Sequence, residues 1–567
     1  MSELMGVPDR MRYNLKVTAV ESTNKLTTGP CNGTDTYAGG TSSTIEFTIP
    51  HSSMNEFVDP VMSRFRFQLQ VYLPQNMINN PAKDSASAKE VIHLDRGFES
   101  LIRRIDIYDM NGNLLEAIDH YNCLYAITEL CTSEPETRKS RGRFTLECLQ
   151  PEEHASGCDL WPDQQFQTLA TKQSSNQQDA APRLYEVCFN LISGVFGGTC
   201  EKYWPLKAIN GLRILMQLEN PSDAFVYRFL PSTDEKRLHL PKGPAHPDNI
   251  NPDTGGFAAD IIDAARPNNG QRYVFGGNSI GSDAAVTEWG TTYVGTLAGN
   301  TKSRIEKTHF DTQSYQVELN PSSAMEFGYA ITKPCIQLNR IYLPGGMGDS
   351  IIGAAKAASP DGKIRIQTHS WKVLTSQIYT TQNSFDYIIP IQVASLKAVF
   401  FTITPQSNTA NINRSKTQFI QRGMTDYQFF YSDDPVLNQP VKIQYPNTEA
   451  YAELMRAWNV AHKTMDAPTL ITVEDYNENC KVNDLGFFQN PSSCVFGIDL
   501  ESFAAKNNVM DSGINTRNAI FRIVMNFRAA TTRDTVEWGA ACTVRFYCLH
   551  DMFLSINDMD GTVINEF

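Results

Sequence analysis

The sequence predicts an all-β fold built from two similar antiparallel sandwich modules in tandem. Three observations lead to this prediction: strand-like segments recur along the chain, helices are few, and one ordered set of segments occurs twice. In the stretch Ser63 to Pro74, SRFRFQLQVYLP, the apolar side chains of Phe65, Phe67 and Leu69 alternate with polar ones. This period of two is typical of a strand with one buried face.

Strand-like segments are separated by turn residues, such as Asn111 and Gly112, which indicate a hairpin. The predicted strands are Tyr13 to Ala19, Thr44 to Ile49, Ser63 to Leu73, Leu101 to Tyr108, Leu114 to Ile118, Tyr185 to Leu191, Leu212 to Glu219, Ile336 to Leu343, Lys363 to Gln367, Ala394 to Thr404, Asp426 to Tyr431, Val495 to Leu500, Ile520 to Arg528 and Thr543 to Leu549.

Two predicted helices have the same apolar spacing, with capping residues Asp119 and Asn447 before them. The apolar stripes are Tyr121, Leu124, Tyr125 and Thr128 in the first helix and Tyr451, Leu454, Met455 and Trp458 in the second. Every position is offset by 330 residues, which indicates that the two helices are equivalent parts of a repeat.

Further segments repeat in the same order around these helices. Leu212 to Ile214 match Phe521 to Ile523 at an offset of 309, and the last strands, beginning at Cys335 and Cys542, match at 207. The difference places 102 extra residues in the first copy, between Asn220 and Cys335. This stretch is rich in proline and then in glycine, so we expect a long surface loop or small excursion rather than a core.

Length and charge exclude several classes of protein. At 567 residues the chain exceeds one hydrophobic core, and two large β domains fit that length. A formal charge of −13 gives no basic excess for binding nucleic-acid phosphates, which argues against direct or sequence-specific genome binding.

The N-terminus lacks the apolar core of a signal peptide, and no run reaches the roughly 18 apolar residues of a membrane span. These features predict folding in a cytosolic compartment.

Twelve cysteines are scattered along the chain without a CxxC pair. Several lie inside apolar strand or helix patterns, where a reduced cysteine behaves as a small core residue. The sequence therefore predicts buried free thiols rather than a zinc or disulfide framework.

The repeated segments resemble a known family when they are taken together. The segments that carry the resemblance are SRFRFQLQVYLP, LIRRIDIYDMNGNLLEAIDHYNCLYAI, FNLISGVFGG with KYWPLKAINGLRILMQLEN, SLKAVFFTITPQ, and GIDLESFA with DSGINTRNAIFRIVMNF. In this order they resemble the double jelly-roll major capsid proteins of virophages and polinton-like double-stranded DNA viruses, within the adenovirus-like and giant-virus-like capsid lineage. The resemblance covers nearly the whole chain from Thr44 onward.

This resemblance implies two tandem eight-stranded antiparallel jelly rolls with short inserted helices. The implied domains are an N-terminal arm at 1–43, a first jelly roll at 44–343 with a long loop insertion at about 221–334, and a second jelly roll at 344–567. The insertion would form a tower on the outer side of a shell. The arm would lie low and tie one capsomer to another or to the particle interior.

The resemblance also implies a structural function without catalytic, cofactor-binding or metal-binding residues. The chain would form homotrimers, and these pseudo-hexagonal capsomers would tile the icosahedral shell of a double-stranded DNA virus assembled inside the host cell. Its partners would be neighbouring capsomers and minor capsid or penton proteins, and contact with a membrane is left open. A minor vertex or fibre protein of a similar virion is a further possibility.

A second class of protein also fits two β sandwiches. In a glycan-binding protein or glycosidase, Trp204, Trp289 and Trp371 would stack on sugars. No pair of carboxylates stands in a convincing context for glycoside hydrolysis, which requires two of them.

Motifs with possible chemistry favour structural interpretations. Gly277 to Gly281, GNSIG, fits the pattern of a nucleophile elbow, but only His309 and His369 follow at loose spacing and no helix follows it, so a glycine-rich turn is favoured. The isolated histidines without ligand spacing are His120, His462 and His550.

Two charged clusters also have simple interpretations. Asp558, Asp560 and Gly561 resemble part of a calcium loop without its final glutamate, which favours a turn. The basic cluster Arg138 to Arg143 predicts a solvated loop, or else a contact with an acidic neighbour, a membrane or a genome. The residues that we expect to anchor the packing, beside the two helix stripes, are Phe65, Phe67, Leu69, Ile214, Met216, Phe400, Phe401, Phe521, Ile523 and Phe527.

Overall fold

The structure is a computed structural model, and it describes most of both predicted modules. The residues described are 22–30, 33–72, 88–95, 97–132, 184–200, 202–231, 285–286, 292–297, 301–307, 315–319, 328–343, 346–406, 416–417, 419–443, 449–462, 494–501, 513–528, 541–557 and 559–566.

The elements are numbered in chain order. The strands are β1 Ser22–Thr28, β2 Thr36–Ala38, β3 Thr44–Pro50, β4 Glu56–Tyr72, β5 Ala88–Leu94, β6 Ile102–Asp109, β7 Leu114–Ile118, β8 Leu184–Phe189, β9 Trp204–Pro205, β10 Gly211–Leu218, β11 Phe225–Pro231, β12 Ala285–Val286, β13 Thr292–Leu297, β14 Thr301–Lys307, β15 Tyr315–Leu319, β16 Gly328–Tyr342, β17 Ile364–Ile378, β18 Ser384–Ile388, β19 Leu396–Pro405, β20 Met424–Tyr431, β21 Asp434–Pro435, β22 Val441–Lys442, β23 Val495–Asp499, β24 Phe521–Phe527, β25 Cys542–Asn557 and β26 Thr562–Asn565. The helices are a 3₁₀ turn at Phe98–Leu101 and α1 Tyr121–Thr132, α2 Pro221–Ala224, α3 Met347–Ala358 and α4 Glu449–His462.

Both modules are sandwiches of two antiparallel sheets with the same strand order. The sheets of the first sandwich run β1-β16-β4-β8 and β3-β10-β6-β7. The sheets of the second run β17-β25-β19-β23 and β18-β24-β20-β21. Counted within each sandwich, both pairs of sheets have the order 1-8-3-6 and 2-7-4-5, which is the jelly-roll arrangement. The predicted fold class, two tandem jelly rolls with short helices, is confirmed.

Facing aromatic side chains form the core of each sandwich. In the first, the ring centroids of Phe65 and Phe47 from the opposite sheet are 5.4 Å apart. In the second, Phe401 stacks on Phe496 at 5.0 Å and meets the ring of Tyr427 from the opposite sheet at 5.1 Å. The predicted anchors are all buried, namely Phe65, Phe67, Leu69, Ile214, Met216, Phe400, Phe401, Phe521, Ile523 and Phe527.

The helix α4 covers the outer side of the second sandwich. Trp458 packs against Phe400 of β19 with 5.0 Å between ring centroids, and Ala457 lies over Gly497 of β23. Because β19 is covered on this side and faces the core on the other, all of its residues are buried. A central strand that is buried on both faces has a nearly continuous run of apolar residues, and LKAVFFTITP largely fits this pattern.

The inserted segment contains described β structure. Strands β12, β13, β14 and β15 form a four-stranded antiparallel sheet, and β11 pairs with β5. The sequence predicted a loop or small excursion here, and its weak apolar pattern did not indicate these strands. Strands β1 and β2 lie within the segment 1–43 that is expected to form an arm, and both pair with β16 of the first sandwich.

Most described cysteines are buried thiols outside any disulfide, namely Cys123, Cys131, Cys200, Cys494, Cys542 and Cys548. Cys188 is exposed and Cys335 is half-buried, so these two depart from the expected burial. Both flank Arg66 on the outer side of the sheet, where the pairing register places them on neighbouring strands. Within the described residues, no helix is long and apolar enough to span a membrane.

We expect Phe67→Asp to prevent folding of the first sandwich. Phe67 is 2% exposed and contacts Phe189, so the change places an unpaired carboxylate in the core at a cost of at least about 4 kcal/mol. Met62→Asp is the matched control, because Met62 lies on the same strand and is 58% exposed. Circular dichroism and urea denaturation measure the difference. A folded, soluble Phe67→Asp protein would contradict the assigned inward face of β4.

Candidate functional site

The contact between the two sandwiches contains a network of buried polar groups, and the buried carboxylate of Glu116 lies at its centre. Glu116 Oε1 accepts hydrogen bonds from the N–H of Gly194 at 3.1 Å and from Ser370 Oγ of the second sandwich at 2.5 Å. Oε2 accepts from Ser193 Oγ and from the N–H of Val195. Burial raises the pKa of Glu116, and these hydrogen bonds oppose the rise.

The backbones of the two sandwiches approach closely beside this carboxylate. Thr368 Oγ1 of β17 donates to the carbonyl of Gly194 at 2.9 Å. A Cβ atom on Gly194 would lie 2.1 Å from the carbonyl oxygen of His369, so only glycine fits at this position. In the same loop, Trp204 Nε1 donates to the carbonyl of Val195 at 2.7 Å and holds the loop against the first sandwich.

A second carboxylate, Asp95, fixes the segment between β19 and β20. Its Oδ2 accepts from the N–H groups of Lys416 at 2.8 Å and Thr417 at 3.2 Å, and its Oδ1 accepts from Thr417 Oγ1 at 3.0 Å. Lys416 Nζ also lies 3.4 Å from Asp223 Oδ1. Because charge-assisted bonds are directional, this set orients the second sandwich as well as attaching it.

The C-terminal hairpin of β25 and β26 forms a third attachment. Asp109 Oδ2 accepts from the N–H of Val563 at 3.3 Å, and Asn565 Nδ2 donates to the carbonyl of Leu115 at 2.9 Å. At the turn, Gly561 adopts φ +66° and its carbonyl accepts from the N–H of Asn210 at 3.0 Å. The strand β26 therefore pairs with β25 and also covers β6 and β7.

A buried arginine faces the first sandwich from β25. Burial lowers the pKa of Arg545, but the nearby Cys123, Tyr547, Glu219 and Asp95 shift it upward overall. Two of these neighbours are carboxylates of the first sandwich, so opposite charges meet across the boundary.

The helix α1 lies between the sandwiches and is buried on most sides. The side chains of Tyr547 on β25 and Cys123 on α1 are hydrogen-bonded to each other. At the start of the helix, burial and the charge of Arg545 lower the pKa of His120 to about 4. The neutral imidazole is therefore the form present in the folded contact near pH 7.

The equivalent helix α4 is more exposed than α1 at some matching positions. Ala126 of α1 is fully buried, whereas Arg456, offset by 330 residues on α4, has a side chain that is 64% exposed. Ala452 of α4 is exposed, and Met455 is half-buried. The two helices therefore differ in burial at this position, whereas Glu453 of α4, offset by 330 residues from the buried Cys123, is buried as well.

The tryptophans considered for sugar stacking do not form a binding surface. Trp204 is fully buried and Trp371 is 5% exposed against Phe400 of the second sandwich. Trp289 lies outside the described residues. Stacking on a sugar requires an exposed ring face, so the glycan-binding alternative has no support here.

The acidic turn and two of the histidines singled out in the sequence have structural roles. Asp560 Oδ1 accepts from the N–H of Thr562 at 3.0 Å in the turn between β25 and β26, which agrees with the predicted turn. His369 Nδ1 lies 2.9 Å from Asp551 Oδ1, and His550 is buried with Nδ1 beside its neighbouring carbonyl. Among the described residues there is no cluster of potential metal ligands. The segments 277–281 and 138–143, together with His309 and Asp558, lie outside the described residues, and nothing is described of the His462 side chain.

The sequence did not identify the residues that join the sandwiches. A polar residue inside an apolar strand was the available signal, because Glu116 interrupts LLEAI and Arg545 interrupts CTVRFYCL. Such a residue is buried only when partners satisfy it, and those partners come from distant parts of the chain.

No protein-family model and no curated protein matches this sequence. Among solved structures, a chain in the cryo-EM structure of the Sputnik virophage is similar over 98% of this chain and 90% of that chain, with a TM-score of 0.50 and 10% identity. A chain of the PBCV-1 virus capsid matches over 98% and 99%, with a TM-score of 0.47 and 7% identity. The Faustovirus major capsid protein matches over 96% and 92%, with a TM-score of 0.48 and 10% identity. The similarity to the Sputnik chain establishes a shared fold, in agreement with the strand order of both sandwiches.

We expect Glu116→Ala to lower the free energy of unfolding by about 3 kcal/mol, since it leaves the buried donors of Ser193, Gly194 and Ser370 without an acceptor. Glu186→Ala is the control, because the Glu186 side chain is 48% exposed and pairs only at the surface. Urea denaturation followed by tryptophan fluorescence measures both variants. Equal losses in the two proteins would show that Glu116 does not join the sandwiches.

We expect His120→Asn to reduce the loss of stability in weak acid. The folded pKa of His120 is lowered to about 4, so between about pH 6.5 and 4 the unfolded state takes up a proton that the folded state does not. Protonation of His120 in the unfolded state therefore lowers the free energy of unfolding by up to about 3 kcal/mol over that pH range. Asparagine tolerates the φ of 48° at this position. Urea denaturation at pH 6.5 and 4.5 measures the effect, and identical pH slopes in the variant and the unmodified protein would contradict it.

Proposed function

We propose that this chain is a major capsid protein whose activity is self-assembly into homotrimers. These trimers act as pseudo-hexagonal capsomers that tile the icosahedral shell of a double-stranded DNA virus. The observation that carries the proposal is the pairing of two equivalent jelly rolls through unlike faces. The fold shared with a chain of the Sputnik virophage supports the same conclusion.

The contact within the chain is heterologous, because different surfaces of the two sandwiches meet. The first sandwich contributes β7, α1 and the loop around Gly194, and the second contributes β17 and β25. A head-to-tail contact between equivalent units forms a ring when repeated rotations close. Three chains with two sandwiches each give a six-membered ring, which is the footprint of a hexagonal tile.

The contact within the chain leaves one surface uncovered on each sandwich, and these two surfaces are available for contact with neighbouring copies. On the second sandwich, α4 presents the exposed Ala452 and Arg456 beside the half-buried Met455, and Arg456 takes the place of the buried Ala126 of α1. On the first, the outer side of the β1-β16-β4-β8 sheet carries Arg66, Cys188 and Cys335 and corresponds to the covered sheet of the second. Contact between these two surfaces of neighbouring copies would repeat the contact within the chain.

This role requires no catalytic residue, cofactor or metal, and it places the protein in the virion. The domain limit at 343, the outward tower at about 221–334 and minor capsid or penton partners belong to the same proposal. We take the first jelly roll to begin at β1 and not at residue 44, because β1 is the first of its eight strands. The net charge of −13 fits a shell protein that meets other proteins rather than the genome.

We expect native mass spectrometry of the purified chain to find a trimer, and electron microscopy to show hexagonal blocks. Met455→Asp should shift the protein to monomers without unfolding it, because a charge then enters the proposed contact beside α4. Met559→Asp is the control, since Met559 is 98% exposed in the turn before β26, away from α4. A stable monomer of the unmodified protein would refute the trimer. Trimers that persist in Met455→Asp would refute the proposed surface.

A further inference from the structure

An apolar cleft of about 480 Å³ opens where the two sandwiches and the helix α3 meet. Phe57 and Ile341 of the first sandwich form one wall, and Ile364 and Ile366 of the second form another. Ile351 of α3 lies at the edge of the same cleft. A cleft of this size accepts several apolar side chains, and burial of those side chains would be favourable.

The cleft walls are fixed, and part of their apolar surface is open to solvent. Asp349 in the first turn of α3 lies 2.6 Å from Lys207 Nζ, which holds the helix against the first sandwich. Ile352 packs into the core, whereas Ile351 is 47% exposed and Tyr203, on the opposite rim, is 54% exposed. Large apolar side chains grouped in a concave site indicate an occupant.

The chain enters the first sheet beside this cleft. Ser22, the first described residue, pairs with Tyr342 at the end of β16, and the strands are antiparallel. The residues on either side of Tyr342, Ile341 and Leu343, both line the cleft. Followed from Ser22 toward the N-terminus, β1 therefore points past Leu343 to the end of the sheet where the cleft opens.

The sequence before Ser22 has the pattern of a strand with one apolar face. Tyr13, Leu15, Val17 and Ala19 alternate with polar residues, as YNLKVTA shows. Eight residues in extended conformation span about 26–29 Å, which is long enough to cross the cleft from its edge.

We propose that residues 13–20 of the same chain bind in this cleft as an extended segment, with the apolar face of Leu15 and Val17 directed into it. Binding within one chain is favoured because attachment at Ser22 gives the segment a high effective concentration at the cleft. The bound segment contacts both sandwiches and α3, so it adds a fourth attachment to the contact centred on Glu116. This inference concerns the single chain and does not depend on the proposed shell function.

The test places a photoreactive benzophenone amino acid at Leu15, and at Lys16 as the control on the opposite face, in the full-length protein. Irradiation at Leu15 should give a crosslinked product of monomer mass on a denaturing gel, with the link mapped by peptide mass spectrometry to Tyr203, Ile351 or their neighbours. The Lys16 protein should give this link at a level roughly tenfold lower. A covalent dimer would show that the arm of a second copy fills the cleft and would overturn the proposal, as would the absence of any link above the control.

A second measurement uses charge instead of crosslinking. Leu15→Asp with Val17→Asp should release the segment and raise the fluorescence of an apolar-surface dye about threefold. Asn14→Asp with Thr18→Asp adds the same charge to the polar face and should leave the fluorescence unchanged. Equal fluorescence in the two double variants would contradict the proposal. Native mass spectrometry of the same samples separates the two hypotheses, because a trimer without the crosslink refutes only the bound segment and a monomer refutes only the shell function.

Discussion

The carboxylate of Glu116 accepts hydrogen bonds from both sandwiches, and the arrangement of the whole chain depends on it. Because Glu116 is buried, any donor or acceptor left unpaired beside it costs free energy, so Ser193, Gly194 and Ser370 have to keep their positions together. That requirement fixes a loop of the first sandwich and a strand of the second at the same time. Apolar burial alone is not directional and would permit the two sandwiches to slide.

The same contact makes the two sandwiches unlike in the surfaces that they use. One sandwich presents a helix and a loop, the other presents a sheet, and the two equivalent helices differ in what covers them. Ala126 of α1 and Arg456 of α4 occupy matching positions, yet one is buried and the other is solvated. The duplicated helix therefore carries an apolar side chain where this position is buried and a charged one where it is exposed.

The sequence predicted most strands of the two sandwiches, the helices α1 and α4 and the duplication, because these depend on local periodicity. It did not predict β1, β18 or α3. Leu212 and Phe521 lie at equivalent inward positions, as their alignment requires. The alignment of Cys335 with Cys542 is less exact. Cys335 lies beside Arg66 on the outer face of its sheet, whereas Cys542 is fully buried. An alignment that is wrong by one residue has this effect, because neighbouring residues of a strand face opposite sides of the sheet. The joining residues were beyond prediction, because Glu116 and Ser370 are 254 positions apart and no local pattern connects them.

The long pairing of β17 with β25 has a mechanical consequence. Its register continues without a bulge from Ile364 to Ile378, and Ser370 in the middle of this stretch donates to Glu116. A pull along these strands loads the whole ladder of hydrogen bonds in shear, so the bonds have to rupture together and not one after another. Tension applied in opposite directions along β17 and β25 would thus be resisted by the ladder as a whole.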